Sequence, residues 1–223
     1  MKRYGRERGD VRIFRARNLQ YFLNGIVGSP VPQAILSLFE STGAYLTGHF
    51  RLTSGLHSPE YLQSALVLQH PRYAEQLGAS LAAALVALTA PARIGLVAAP
   101  ALGGLIIGHE VARALDVPFV FTERGATGDM LLRRGFQIEA GINAVVIEDV
   151  VTTGGSTREV IAILKNLDAH VLAAGSIIDR SDGQADVGVP RAALETMRVI
   201  SYDPSNCPLC REGSTAVKPG SRN

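Results

Sequence analysis

The chain has 223 residues, 47% hydrophobic and 19% charged, the balance of a globular protein with room for one substantial core. No apolar run reaches the roughly 18 residues a membrane span needs, and no clean apolar stretch follows the basic start, so neither a membrane partner nor a secretory leader is expected. The net charge of +2 conceals a division: residues 1–18 carry seven Lys/Arg against Glu7 and Asp10, while the remainder is net negative. The body is thus not read as a nucleic-acid binder. Residues 1–30 are read as a disordered basic extension and 31–223 as a single domain.

In chain order, Val31–Leu46 carries Ile35, Leu36, Leu38, Phe39 and Leu46 and predicts an amphipathic helix starting near Pro32. His49–Gln69 predicts a short antiparallel element around Ser54-Gly55, then an apolar strand near Tyr61–Leu68. Pro71–Leu88 is an Ala/Leu-rich helix. Arg93–Ala98 is a strand, Pro100–Gly104 a loop and Leu105–Leu115 a helix. Val117–Phe121 is a further strand. Glu123–Gly141 is polar and poorly periodic, a long loop or hairpin. Val145–Ile147 is a strand, and Ser156–Leu167 a helix that turns Val160, Ile161, Ile163, Leu164 and Leu167 inward. Val171–Ile178 and Val199–Tyr202 complete the strands. Alternation of strand and helix implies an α/β fold with a mostly parallel sheet flanked by helices. Such sheets bind ligands beyond the carboxyl ends of their strands, here at 99–104, 148–156 and 179–183.

The most informative stretch is VVIEDVVTTGGST, residues 145–157. An apolar strand delivers Glu148 and Asp149, and alternation sends neighbouring side chains to opposite faces. Two adjacent carboxylates repel unless hydroxyls or a cation engage them, and a ribose diol with Mg²⁺ supplies both. The Thr152–Thr157 loop follows. Its glycines let backbone N–H groups approach a phosphate, with the positive end of a helix behind them.

This signature resembles the phosphoribosyl pyrophosphate motif of the type I phosphoribosyltransferases, and the wider chain is similar to their orotate-specific branch. The supporting stretches are Gly48–Gly55 with Ser58-Pro59 and Tyr61, Ala99–Gly104, Phe121–Arg124, Leu132–Phe136 and Asp179-Arg180. They cover roughly residues 31–220. The resemblance implies an open parallel sheet with a small hood subdomain, built from about 31–69 and the C-terminal part. It implies Mg²⁺, held mainly through substrate with no assured protein ligand, and a cytoplasmic homodimer acting in pyrimidine synthesis. Its substrates would be small molecules, orotate and phosphoribosyl pyrophosphate.

By position, Glu148 and Asp149 would hold the ribose hydroxyls. The donor site would run through Val150, Val151, Thr152, Thr153, Gly154, Gly155 and Ser156, and Ala101, Leu102 and Gly103 would take the pyrophosphate. Thr152, Arg180, Ser54 and Tyr61 would face orotate, Arg180 matching its carboxylate with a guanidinium fork. Arg124, which would also touch the donor, Arg133 and Asp149 would serve catalysis. Loop 123–141 would reach the neighbouring subunit's site.

That loop departs from the family pattern. It holds no lysine and no histidine, Asp129 stands where a lysine is expected, and Thr53 occupies a position that is lysine in some members. Arg133 and Arg134 are the candidate substitutes. Two alternatives therefore stay open: transfer to another base, and a regulator that binds the donor without turnover. Cys207 and Cys210 form a single CxxC, half of a tetrahedral zinc site. The pair reads as a structural element, a zinc shared across a dimer, or a labile disulfide.

Overall fold

The computed structural model describes residues 32–52 and 54–219; the basic extension and Thr53 lie outside the described residues. The order is α1 (Pro32–Ser41), β1 (Tyr45–Arg51), β2 (His57–Leu62), α2 (Ser64–Leu68), α3 (Pro71–Thr89), β3 (Leu96–Pro100), α4 (Gly104–Leu115), β4 (Phe119–Arg124), β5 (Met130–Leu132), β6 (Asn143–Val151), α5 (Gly155–Asn166), β7 (His170–Asp179) and β8 (Arg191–Thr196). A 3₁₀ turn (Pro204–Asn206) and the one-turn α6 (Pro208–Arg211) follow.

Six strands form one sheet in the order β5-β4-β3-β6-β7-β8, and β1 and β2 form a separate antiparallel hairpin. All neighbours in the large sheet are parallel except β5, which folds back on β4. The strand order reverses at β3. From there the chain crosses to β4 on one side, then returns to lay β6 on the other. The crevice between the carboxyl ends of β3 and β6 is thus the topological switch point, where open α/β sheets take their ligands.

The alternation of β6 divides the core. Val145 and Ile147 pack with α3 and α4, while Ala144 and Val146 pack with α5, all four being fully buried. Helix α3 buries Ala74, Leu77, Leu81, Ala82 and Leu85 at helical spacing, each leucine contributing about 1.5–3 kcal/mol. Gly78 on that stripe lets α4 come close, because a Cβ there would lie 2.5 Å from Glu110 Cβ.

Several expected boundaries are corrected. The strand near Tyr61–Leu68 ends at Leu62, and Ser64–Leu68 is a helix. In an extended chain Val67 and Leu68 would point to opposite faces, whereas one helical turn buries both. Val199–Tyr202 is not a strand. The last strand of the sheet is Arg191–Thr196, whose half-buried, alanine-containing sequence shows no alternation. Leu46 belongs to β1 rather than the first helix. Leu167 caps α5 and is 41% exposed. The polar stretch 123–141 is a hairpin, with Arg124 paired to Met130. No helix among the described residues is long and apolar enough to cross a membrane.

Candidate functional site

Registers Ala98↔Val146 and Val151↔Asp179 bring the carboxyl ends of β3, β6 and β7 to one edge. Glu148 and Asp149 leave the apolar part of β6 there. Continuing the alternation, Glu148 lines a cavity of about 390 Å³ on the α5 side. Asp149 turns towards the β3–α4 loop, where a Cβ on Gly103 would stand 2.5 Å from its Oδ1. Gly103 is therefore what allows loop 101–104 to lie against this acid. At Gly104 a Cβ would meet Ala99 Cβ at 2.8 Å and the Ile147 carbonyl at 2.9 Å. The Ala101–Leu102 peptide bond is cis, and Leu102 is exposed. Burial, then the charge of Asp149, push the Glu148 carboxyl well above the ordinary carboxylate range. Asp149 Oδ1 accepts from the Val150 amide at 2.8 Å.

The rest of the cavity wall is Val150, Val151, Thr152, Thr153, Gly154, Gly155, Ser156 and Thr157, with Ser54, Arg124 and Glu159 at its rim. Gly154 holds the N-cap of α5 with φ +73, and a Cβ there would sit 2.6 Å from Val187. The first-turn amides behind it have no intrahelical acceptor, so N–H dipoles converge on the cavity. Arg158, which sequence reasoning missed, fastens this loop by donating to the carbonyls of Thr153 (2.8 Å) and Asp186 (2.6 Å). Its signal was a lone cation in the first turn of α5, where the helix dipole disfavours one unless it has another task.

Arg180 follows β7, its amide bonded to the Val151 carbonyl at 2.8 Å. Its guanidinium is half-buried and forms no ion pair among the described residues, and its Nε has no hydrogen-bond partner. Burial lowers its proton affinity, and the charges of Tyr61 and Glu60 partly offset this. Tyr61 completes the arrangement. Burial and the charge of Asp149 raise its phenol pKa, and Arg180 opposes the rise. Tyr61, Asp149 and Arg180 therefore share one electrostatic environment beside the Thr152 end of the phosphate loop.

A second concavity of about 370 Å³, around Asp179, Gly183 and Arg191, lacks a glycine-rich amide cradle. Its acid is already satisfied: Asp179 bonds Arg191 at 3.0 Å and the Ser181 hydroxyl at 2.6 Å.

The basic groups of the hairpin behave differently from one another. Arg124 leans into this chain's own cavity, pairing with Glu159 (2.5 and 3.1 Å) and reaching Ser156. Arg134 is tied to Glu123 by two 2.7 Å bonds. Arg133 is exposed and does not line the cavity; its carbonyl accepts from the Phe136 amide at 3.3 Å, and its charge, after that of Arg134, helps to lower the pKa of the Glu123 carboxyl. Asp129 accepts from Thr127 in the turn.

A family model for the phosphoribosyl transferase domain matches residues 67–191, from α2 into β8. The chain belongs to the phosphoribosyltransferase family. It is 53% identical over 188 residues to the orotate phosphoribosyltransferase of Pelotomaculum thermopropionicum, spanning 84% of this chain and 96% of the relative. The orotate phosphoribosyltransferase of Heliobacterium modesticaldum is 50% identical over 191 residues, with 84% and 97% covered. Among solved structures, the orotate phosphoribosyltransferase of Aeropyrum pernix matches with a TM-score of 0.60 at 25% identity, over 73% of this chain and 93% of that one. An adenine phosphoribosyltransferase shares the fold at a TM-score of 0.58 and 19% identity, covering 70% and 98%. The fold of this phosphoribosyltransferase alone thus leaves the base undecided.

Proposed function

We propose that this phosphoribosyltransferase transfers the 5-phosphoribosyl group from phosphoribosyl pyrophosphate to orotate, releasing orotidine 5′-monophosphate and pyrophosphate in pyrimidine nucleotide synthesis. Arg180 carries this reading. A half-buried guanidinium without an acid partner, aligned with the Thr152 end of a phosphate cradle, calls for an anionic base, and orotate is a pyrimidine bearing a carboxylate. The high identity to relatives named for orotate supports it.

In this reading the amides of Thr152–Ser156 hold the 5-phosphate, and Glu148 and Asp149 accept from the ribose hydroxyls. Loop 101–104 takes the pyrophosphate beside Asp149. Tyr61 and Ser54 on the hairpin close over the base. A C–N bond forms at the anomeric carbon as the C–O bond to pyrophosphate breaks, so the protein's tasks are to align the two reactants and to neutralise charge on the leaving group. Arg124 is placed for the second task. Its pairing with Glu159 is half exposed, worth about 0–1 kcal/mol, and a pyrophosphate can displace it. Mg²⁺ fits the oxygen-only, mutually repelling pair Glu148 and Asp149, and when bound with the donor it supplies further charge neutralisation. Arg133 is assigned to the neighbouring site of a homodimer, because it is exposed on the hairpin and does not line its own chain's cavity. The two unbridged cysteines fit work in a reducing cytoplasm.

The test is an assay of purified protein with donor, Mg²⁺ and a panel of bases, following loss of orotate absorbance. Orotate turnover is expected. Turnover of a purine with none of orotate would overturn the base assignment, and tight donor binding without turnover of any base would favour a regulator.

A further inference from the structure

The hairpin and the C-terminal segment meet at a cluster outside the donor site. His49 on β1, His57 on β2, and Cys207 and Cys210 around α6 turn four potential ligand atoms to one point, all within 4.8 Å of one another. His49, His57 and Cys207 are buried. His49 Nε2 lies 3.0 Å from His57 Nδ1, 3.5 Å from Cys207 Sγ and 3.8 Å from Cys210 Sγ, and Cys210 Sγ lies 3.3 Å from His57 Nδ1. Zinc–nitrogen bonds of about 2.0–2.1 Å and zinc–sulfur bonds of about 2.3 Å give tetrahedral edges of about 3.3 Å for N–N and 3.6 Å for N–S. The four measured edges scatter around those values. His49 Nδ1 lies 3.1 Å from the Ser214 carbonyl, an arrangement that puts its proton on Nδ1 and leaves Nε2 free as a ligand.

We propose that this chain binds one structural zinc ion through His49, His57, Cys207 and Cys210. The ligand set is complete within one chain, so no partner subunit is needed to supply the half that CxxC lacks. Two thiolates and two neutral imidazoles cancel the dication, which makes the closed site neutral in a pocket where three of the four ligands are buried. Soft sulfur ligands separate it from the oxygen-only chemistry at Glu148 and Asp149. Binding releases the two thiol protons to solvent.

The placement gives the ion a task. His49 and His57 lie on the two strands on either side of Ser54, which reaches the cavity. The C-terminal segment is otherwise held to this hairpin by a few backbone bonds, Arg51 to Val217 (2.8 Å), Val217 to His49 (2.9 Å) and the pair His57–Tyr202 (2.8 and 2.9 Å), by Ser58 Oγ to the Ile200 carbonyl (2.9 Å) and by His49 Nδ1 to Ser214 (3.1 and 3.2 Å). The segment places little of its own apolar surface in the core, Cys207 being its buried hydrophobic residue. A metal crosslink supplies what packing does not.

The test uses the full chain with affinity tags removed, purified without chelator. Elemental analysis is expected to find about one zinc per chain. Cobalt exchange should give the strong d–d bands of a tetrahedral centre together with thiolate-to-metal charge transfer. Cys210→Ser should reduce zinc content at least tenfold, abolish the charge-transfer band and expose residues 199–219 to protease; Cys210→His should restore metal binding. Cys210 is exposed, so these variants leave the core intact. Metal-free wild-type protein with no cobalt charge-transfer band would overturn the proposal. So would a Cys207–Cys210 disulfide in protein made under reducing conditions, or full zinc content in Cys210→Ser. None of these outcomes bears on which base the enzyme uses.

Discussion

Replacing Arg180 by Met keeps most of the side-chain volume and removes only the charge. A guanidinium binding a carboxylate makes charge-assisted hydrogen bonds, together worth about 1.5–3 kcal/mol net, and their loss should weaken orotate about 10- to 150-fold. The donor site is built from other elements, so the KM for phosphoribosyl pyrophosphate should stay within about twofold. Stability should move the other way. Arg180 is desolvated without an acid partner, and burial already lowers its proton affinity, so the free enzyme carries it at a loss. Arg180→Met should therefore leave Tm unchanged or raise it, by about 2–4 °C for each kcal/mol recovered. Initial rates with each substrate varied against saturating amounts of the other, together with a thermal melt, decide the matter. Equal losses for both substrates, or a Tm that falls with activity, would mean that Arg180 is a packing residue and that the orotate placement is wrong.

Three further outcomes follow from the geometry. Gly103→Ala drives a methyl group into the Asp149 carboxylate at 2.5 Å, so the acid or the loop must shift; donor KM should rise at least tenfold while the melt moves little. Arg124→Ala should lower kcat about a hundredfold or more through lost charge stabilisation of pyrophosphate, with little change in Tm because its pairing with Glu159 is half exposed. The Tyr45 phenol, partly desolvated and donating to Glu60 at 2.7 Å, is pushed up to about 12 from its ordinary 10. A raised folded-state value means that its stabilisation is complete below pH 10 and lost as pH climbs towards 12. Alkaline unfolding followed in wild type and Tyr45→Phe should show that step in wild type alone, with the variant about 1 kcal/mol less stable at neutral pH.

The elements that sequence reading captured are those in which a single periodicity dominates. Strand β6 and helix α5 were readable because a valine-rich run with Ile147, buried on both faces, and an amphipathic helix each admit one interpretation. Leu66–Leu68 was misread because a short apolar run fits a strand or a helical turn equally, and the choice is made by whether Val67 and Leu68 must both face the core. Strand β8 was missed because its side chains are uniformly half-buried and leave no alternation to see.

The same distinction separates the two proposed centres. The donor cradle is contiguous in sequence: two acids, a glycine-rich turn and a helix start lie within ten residues of one another, so local geometry alone nearly builds it. The cysteine–histidine cluster joins residues that lie more than 150 positions apart, and nothing local at His49 or His57 marks either as a ligand. It becomes visible only when the C-terminal segment returns to lie along the hairpin and three of the four side chains are buried there. Arg180 stands between these cases. Its position after a buried strand is legible locally, but the missing counter-charge, on which its proposed role towards an anionic base rests, is a property of everything packed around it. A motif can therefore announce a place for a sugar phosphate, whereas the proposed choice of base rests on an unbalanced charge that only the folded chain brings to light.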